Sequence, residues 1–151
     1  MQLSEHFSLA EFIISSKALS MGVENTPTEA HMKNLKNLAA CMEQVRALFD
    51  RPIEITSAYR NPQVNAAVGG VKKSAHAEGH AADFHVDGLH DLEAAKRIRD
   101  SGLVFDQLIY EENRCVHISF DPEGSCSGKP RQHVRRQPGG PNTPVFEGLE
   151  P

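Results

Sequence analysis

The chain has 151 residues, of which 39% are hydrophobic, and this length and apolar fraction suit one compact domain with a single core. The formal net charge of −4, from 16 basic and 20 acidic residues, provides no basic field for a phosphate backbone, so we expect no nucleic-acid partner. No segment approaches the roughly 20 apolar residues that cross a bilayer, so we expect no membrane anchoring.

The cysteines and the N-terminus indicate a compartment. The chain has 3 cysteines, which cannot all pair with one another and which lack the CxxC spacing of a thiolate zinc or redox site. This favours a reducing environment. The N-terminus has no cationic segment followed by a long apolar run, so we predict no signal peptide and a cytoplasmic location. We also expect a monomer.

Two helices are predicted in the first third of the chain. Ser8 and Glu11 have the spacing of a capping box, which predicts a short helix over about residues 9–15. The apolar positions of TPTEAHMKNLKNLAACMEQVRALF recur close to every 3.6 residues. They predict a long core helix over about residues 27–49, with Thr26 as its N-cap.

Strands and short helices follow in a mixed order. RPIEITSAYR predicts a strand, NPQVNAAVGG a short helix, AADFHV a second strand and DLEAAKRIRDSG an amphipathic helix. DQLIYE and CVHISF predict a hairpin. The fold class is therefore α+β, a small single domain with helices packed on a mainly antiparallel sheet.

The last thirty residues differ in composition from the rest. They are rich in proline and glycine and show no sustained hydrophobic period. We predict a domain over residues 1–121 and an irregular tail over residues 122–151.

Three side chains are candidate metal ligands. His76 precedes the AADFH strand, Asp83 lies on it, and Gly79 between them can turn the chain so that both side chains face one point. His117, in the centre of CVHISF, faces away from its apolar neighbours and offers a third ligand. Two imidazoles and one carboxylate, with a fourth position left for water, are typical of a catalytic zinc site. Spacing alone leaves a second interpretation open, in which these are ordinary hydrogen-bonded or exposed histidines.

The segment SAYRNPQVNAAVGGVKKSAHAEGHAADF resembles the signature of the zinc D-Ala-D-Ala carboxypeptidase and L-Ala-D-Glu endopeptidase family of peptidoglycan peptidases. The pattern S-x-H-x-x-G-x-A-x-D matches from Ser74 to Asp83, and VHIS matches the region of the second histidine. FSLAEF and FDQLIYE are similar to the phage and prophage branch. This fold is shared with lysostaphin-type enzymes and the hedgehog signalling domain.

The resemblance implies roles for five residues. It makes His76, Asp83 and His117 the Zn²⁺ ligands, Arg60 a residue that contacts substrate or polarises its carbonyl, and Ser74 a substrate-contacting serine. A guanidinium can hold a carboxylate or an oxyanion by paired hydrogen bonds. A surface role for Arg60 in closing a turn, and a local hydrogen bond of Ser74 to its own loop, are the alternatives.

The sequence departs from the family near the last histidine. Many relatives have an aromatic residue, often tryptophan, where Cys115 lies, and several have the catalytic glutamate where Arg114 lies. The general base must then be Glu111 or Glu112. A three-residue hairpin loop would place Glu111 on the same face as His117, whereas a two-residue loop would reverse that choice. We favour Glu111.

The resemblance implies zinc-dependent hydrolysis of a peptide bond in the peptidoglycan stem, whose peptide is the expected partner. Without an export signal, the protein is expected to be a phage or prophage lysis enzyme that stays in the host cytoplasm until a holin opens the membrane. Two alternatives remain open. One is a D,D-carboxypeptidase that removes the terminal D-Ala. The other is a non-catalytic binding or virion structural protein that retains the fold, which the arginine at the glutamate position favours.

Overall fold

The computed structural model describes residues 1–69, 74–121, 132–140 and 143–150. Within these residues the helices are α1 (Leu9–Ile13), α2 (Ser16–Met21), α3 (Glu29–Phe49), α4 (Pro62–Ala67), α5 (Ala75–Glu78) and α6 (Asp91–Asp100). The strands are β1 (Ile53–Ser57), β2 (Ala81–Val86), β3 (Gln107–Glu111), β4 (Cys115–Ser119), β5 (His133–Gln137) and β6 (Phe146–Glu147). The predicted α+β class is confirmed.

The strands form one mixed sheet in the order β1-β2-β4-β3-β5-β6. All neighbours pair antiparallel except β3 and β5, which are parallel. One face of the sheet packs on the long helix α3 and on α6. Its buried side chains include Phe84, Leu108, Val116 and Ile118, and those of the two helices include Leu35, Leu38, Met42, Val45, Ala95 and Ile98. The other face carries the polar side chains of β2, β3 and β4.

The first helices begin at side-chain caps. Ser8 and Glu11 form the predicted capping box at the start of α1. The predicted N-cap of the long helix, Thr26, is wrong. Thr28 has the extended backbone of an N-cap and its side chain accepts from the backbone N–H of His31, so α3 begins at Glu29. The helix α2 was not predicted. It begins at Ser16, after the N-cap Ser15, whose side chain accepts from the N–H of Ala18.

The prediction of an irregular tail is wrong for residues 133–137. These residues form β5, which extends the sheet beyond β3 in parallel register from Gln107↔His133 to Glu111↔Gln137. The side chain of Leu149 is buried in the main core. Residues 122–131 of the predicted tail, and Cys126 among them, lie outside the described residues. The other two cysteines, Cys41 and Cys115, are buried and form no disulfide within the described residues.

In the described part of the chain, no helix has the length and apolar character needed to cross a membrane.

Candidate metal centre

The sheet register brings Asp83 and His117 together. They lie directly opposite each other on the adjacent antiparallel strands β2 and β4, on the face away from the core. The Oδ1 atom of Asp83 and the Nδ1 atom of His117 are 2.9 Å apart. Both side chains are largely buried. Strand alternation explains why both side chains lie on the outer face, because each residue is flanked by apolar residues that face the core.

His76 joins the pair from a short helix rather than from the predicted loop. It lies in α5, which Ser74 caps and which ends at Gly79 with a φ of 81°. This left-handed conformation, which glycine adopts without strain, reverses the chain into β2. The Nε2 atom of His76 then lies 3.2 Å from Oδ1 of Asp83 and 3.2 Å from Nδ1 of His117.

The backbone determines which nitrogen of His76 faces this cluster. Its Nδ1 atom lies 2.6 Å from the carbonyl oxygen of Ala58, the residue that follows β1. A carbonyl can only accept, so Nδ1 carries the hydrogen, and in the neutral ring Nε2 presents a lone pair to Asp83 and His117. Because His76 is only 4% exposed, solvent does not compete for this arrangement.

The three donor atoms therefore suit a cation. A tetrahedral site with metal–ligand distances of about 2.0–2.1 Å separates its ligand atoms by about 3.3 Å. The observed separations of 2.9 and 3.2 Å are close to that value. Burial opposes protonation of His117, but the hydrogen bond to Asp83 and the charge of Asp83 outweigh burial and raise the pKa of His117. Burial alone would raise the pKa of Asp83, but His76 and His117 hold it well below its usual range.

Glu111 lies beside this cluster, at the end of β3. The hairpin has the three-residue loop considered above, with Glu111 paired to Cys115 and Ile109 to His117, so the predicted register is confirmed. A carboxylate oxygen of Glu111 lies within 4.8 Å of one of Asp83. Burial and the charge of Asp83 raise the pKa of Glu111. Glu112 is exposed in the turn.

Two neighbours hold the Glu111 carboxylate. Nη1 of Arg114 lies 3.0 Å from its Oε1 atom. The Cys115 thiol donates to Oε2 over 3.6 Å. Burial, together with the charges of Asp83 and Glu111, raises the pKa of Cys115, so the thiol keeps the proton that it donates. Arg114 and Cys115, the two positions where the sequence departs from the family pattern that it resembles, thus both contact Glu111.

Arg60 lies at the rim of the same site. Its backbone N–H donates to the carbonyl of His76 at 3.1 Å, which ties the end of β1 to α5. Its Nε atom is shielded from solvent and has no hydrogen-bond partner among the described residues. Burial lowers the pKa of Arg60, and the charges of Asp83 and Glu111 oppose that shift.

The hydroxyl of Ser74 already has two protein partners. It accepts from the N–H of Ala77 at 3.1 Å and lies 3.0 Å from Oδ1 of Asn65. The local hydrogen bond considered above is therefore present, and substrate contact by Ser74 stays a prediction. His85 lies on the same strand face as Asp83, and its Nδ1 atom is 2.9 Å from Oδ1 of Asp91.

These side chains share one cleft of about 580 Å³. It is lined by Arg60, Ser74, His76, Asp83, Glu111 and His117, by Ile109 and Ser119 of the sheet, and by Gln137 and Val145 of the C-terminal segment. The last two were not identified from the sequence, where the irregular composition around them indicated no place in the fold. The cleft brings together the imidazoles of His76 and His117, the carboxylates of Asp83 and Glu111 and the guanidinium of Arg60, an arrangement suited to metal-assisted hydrolysis.

Comparison with known proteins agrees with this chemistry. The family model Peptidase M15 matches residues 5–119, which include the candidate ligands and Glu111. The chain belongs to the Peptidase M15 family. M15 peptidases are metal-dependent, so the family accounts for a His–Asp–His cluster in this M15 chain and makes it a metallopeptidase. A search of curated proteins finds no match.

Proposed function

We propose that this M15 chain is a zinc-dependent peptidase that hydrolyses a peptide bond in the stem peptide of peptidoglycan. The observation that carries the proposal is the convergence of three lone-pair atoms from His76, Asp83 and His117, within 3.2 Å of one another. Two imidazoles and one carboxylate suit zinc, and three protein ligands leave a position open for chemistry.

When bound, zinc polarises the scissile carbonyl and lowers the pKa of water. Glu111 acts as general base, taking a proton from the attacking water and passing it to the leaving amine. Its raised pKa favours this role, because a base works best when its pKa is near the working pH. Arg114 and Cys115 hold the carboxylate in place.

Arg60 is proposed to bind the substrate. Its Nε atom is shielded from solvent and has no hydrogen-bond partner among the described residues. A buried donor without a partner is unfavourable, so a ligand that supplies an acceptor would be stabilised there. Stem peptides carry free carboxylates, and a peptide bond develops an oxyanion during hydrolysis. Either group would accept from the guanidinium.

The peptidoglycan substrate and the lysis role rest on the motif resemblance. The signature from Ser74 to Asp83 supports a stem peptide, and FSLAEF and FDQLIYE support a phage or prophage lysis enzyme. In this proposal the protein is a monomer that stays in the host cytoplasm until a holin opens the membrane. A non-catalytic role is less favoured, because Glu111 replaces the glutamate that is missing at position 114.

Mass spectrometry of muropeptides, released from purified peptidoglycan with and without chelator, tests the proposal. Cleavage between L-Ala and D-Glu identifies an endopeptidase, whereas loss of one terminal D-Ala identifies a D,D-carboxypeptidase. Unchanged muropeptides in the presence of zinc would leave the non-catalytic alternative.

A pair of variants tests the general base. Glu111→Gln is expected to keep zinc and to lower turnover by about 10²- to 10⁴-fold. The matched variant Glu112→Gln should stay near wild type, because Glu112 lies in the turn outside the cleft lining. The opposite ranking would remove Glu111 from the mechanism.

A further inference from the structure

The general base Glu111 is connected to the C-terminal segment through one arginine. Nη1 of Arg114 contacts Oε1 of Glu111 at 3.0 Å, and Nη2 donates to Oε1 of Gln137 at 2.6 Å. The Nε atom of Arg114 is shielded and has no partner among the residues that the structure describes. The two terminal nitrogens therefore hold this guanidinium, one toward Glu111 and one toward Gln137.

Gln137 is itself held in a single orientation. It pairs with Glu111 in the parallel ladder of β3 and β5, and its carbonyl accepts from the N–H of Glu112 at 3.2 Å. Its Nε2 atom donates to the carbonyl of Thr143 at 2.9 Å. Since the amide nitrogen is used there, the amide oxygen is directed at Arg114.

We propose that Gln137 is a positioning residue for Glu111, acting through Arg114. The inference rests on the proposed function, in which Glu111 is the general base. The family match ends at residue 119, so Gln137 comes from a part of the chain that the family model does not cover. The segment after β4 would then complete the catalytic site as well as line the cleft.

The physical reason is the freedom that Arg114 would gain without Gln137. A guanidinium held at one end only can rotate and carry its partner carboxylate with it. A general base must lie within hydrogen-bond reach of the proton it removes, and a displacement of about 1 Å can cost about a hundredfold in rate. Gln137 therefore affects turnover rather than substrate binding.

The test compares Gln137→Leu, which keeps the side-chain size and removes the amide, with wild type in steady-state hydrolysis of muropeptides. We expect kcat to fall about tenfold to a hundredfold, with KM and zinc content unchanged. In an Arg114→Met background the same substitution should have no further effect, since the connection to Glu111 is already broken. If Gln137→Leu does not fold, the unbranched variant Gln137→Met replaces it.

Arg136→Gln is the control. Arg136 precedes Gln137 on β5, faces the opposite side of the sheet and donates to the carbonyl of Glu147 at 2.8 Å, so its loss disturbs the same strand without touching Arg114. The kcat of Arg136→Gln should stay near that of the wild-type protein. Unchanged kcat in Gln137→Leu, or an equal loss in the Arg114→Met background, would overturn the positioning role while leaving the peptidase intact. Absence of hydrolysis by the wild-type protein would overturn both proposals.

Discussion

Asp83 and His117 are direct cross-strand neighbours whose Oδ1 and Nδ1 atoms lie 2.9 Å apart. Two of the three candidate ligands are thus placed by the backbone register of β2 and β4 alone. A slip of one residue would turn one of them into the core. The third ligand, His76, depends instead on α5 and on its contact with Ala58.

The first prediction concerns zinc content. His76→Ala is expected to lower bound zinc from about one equivalent to a small fraction of it, because two remaining ligands bind zinc weakly. Elemental analysis after gentle purification measures this. His85→Ala is the matched control, since His85 lies on the face of Asp83 but contacts Asp91, and it should retain the metal. Full zinc content and activity in His76→Ala would exclude His76 as a ligand.

The second prediction concerns Arg60. Arg60→Ala should leave zinc content and the melting temperature unchanged while kcat/KM falls about a hundredfold, because the guanidinium acts on the substrate and the transition state. Arg97→Ala, at an exposed position on α6, is the control. A variant that hydrolyses peptide as fast as wild type would limit Arg60 to its backbone contact with His76.

The third prediction concerns the turn between α5 and β2. Gly79→Ala should destabilise the fold by about 1–2 kcal/mol, because its φ of 81° is unfavourable for a residue with a β-carbon. Chemical denaturation measures the loss. Gly102→Ala, at a φ of 83°, carries the same backbone cost, and its new β-carbon would meet none of the described residues within 4 Å apart from its chain neighbours.

The two glycine variants differ in crowding. A β-carbon at Gly79 would lie 3.3 Å from Cβ of Asn34, on α3. Gly79→Ala should therefore cost more than Gly102→Ala and should also weaken zinc binding by shifting His76. Equal losses in the two variants, with zinc affinity unchanged, would mean that the close approach to α3 has no effect on the site.

The fourth prediction concerns pH. Glu43 on α3 accepts from Ser4 at 2.5 Å and from the N–H of His6 at 2.8 Å. Burial would raise its pKa, but these hydrogen bonds and the nearby His6 ring outweigh burial and lower it. A lowered folded pKa gives stability that is present above the unfolded value and is lost as the pH falls through the folded value.

Glu43→Gln should therefore cost about 1–2 kcal/mol at neutral pH, and the difference from wild type should shrink as the pH falls below about 4.5. Unfolding curves across this range measure the difference. Glu54→Gln, at an exposed position on β1, should show no such trend. A deficit in Glu43→Gln that stays constant down to pH 3 would contradict the assignment.

Four of the six described strands followed from side-chain alternation, whereas their order in the sheet did not. The strands around Asp83 and His117 place polar residues between apolar ones, so the two faces could be separated. The loop of the hairpin could not be chosen from the sequence. Asn113 resolves it by adopting a φ of 61°, a left-handed conformation that asparagine tolerates better than most residues.

Helix α5, the N-cap of α3 and strand β5 have no pattern in the sequence that would predict them. The helix that carries His76 is four residues long, too short for a helical period. Thr26 and Thr28 both flank Pro27, and only the contact of Thr28 with His31 distinguishes the true cap. The sequence HVRRQ shows no alternation of apolar and polar residues, in keeping with the half-buried side chains of β5. The strand is held by backbone hydrogen bonds, which any residue except proline can make on both sides.

The pairing of β5 with β3 has a consequence for self-association. Along the whole of β3, from Gln107 to Glu111, this pairing occupies the side that β4 leaves open. A chain cut after residue 121 would keep the candidate ligands but would present β3 as a bare edge strand. Exposed edges recruit strands from other molecules and lead to aggregation. By pairing with β3, strand β5 therefore protects this edge of the sheet from aggregation.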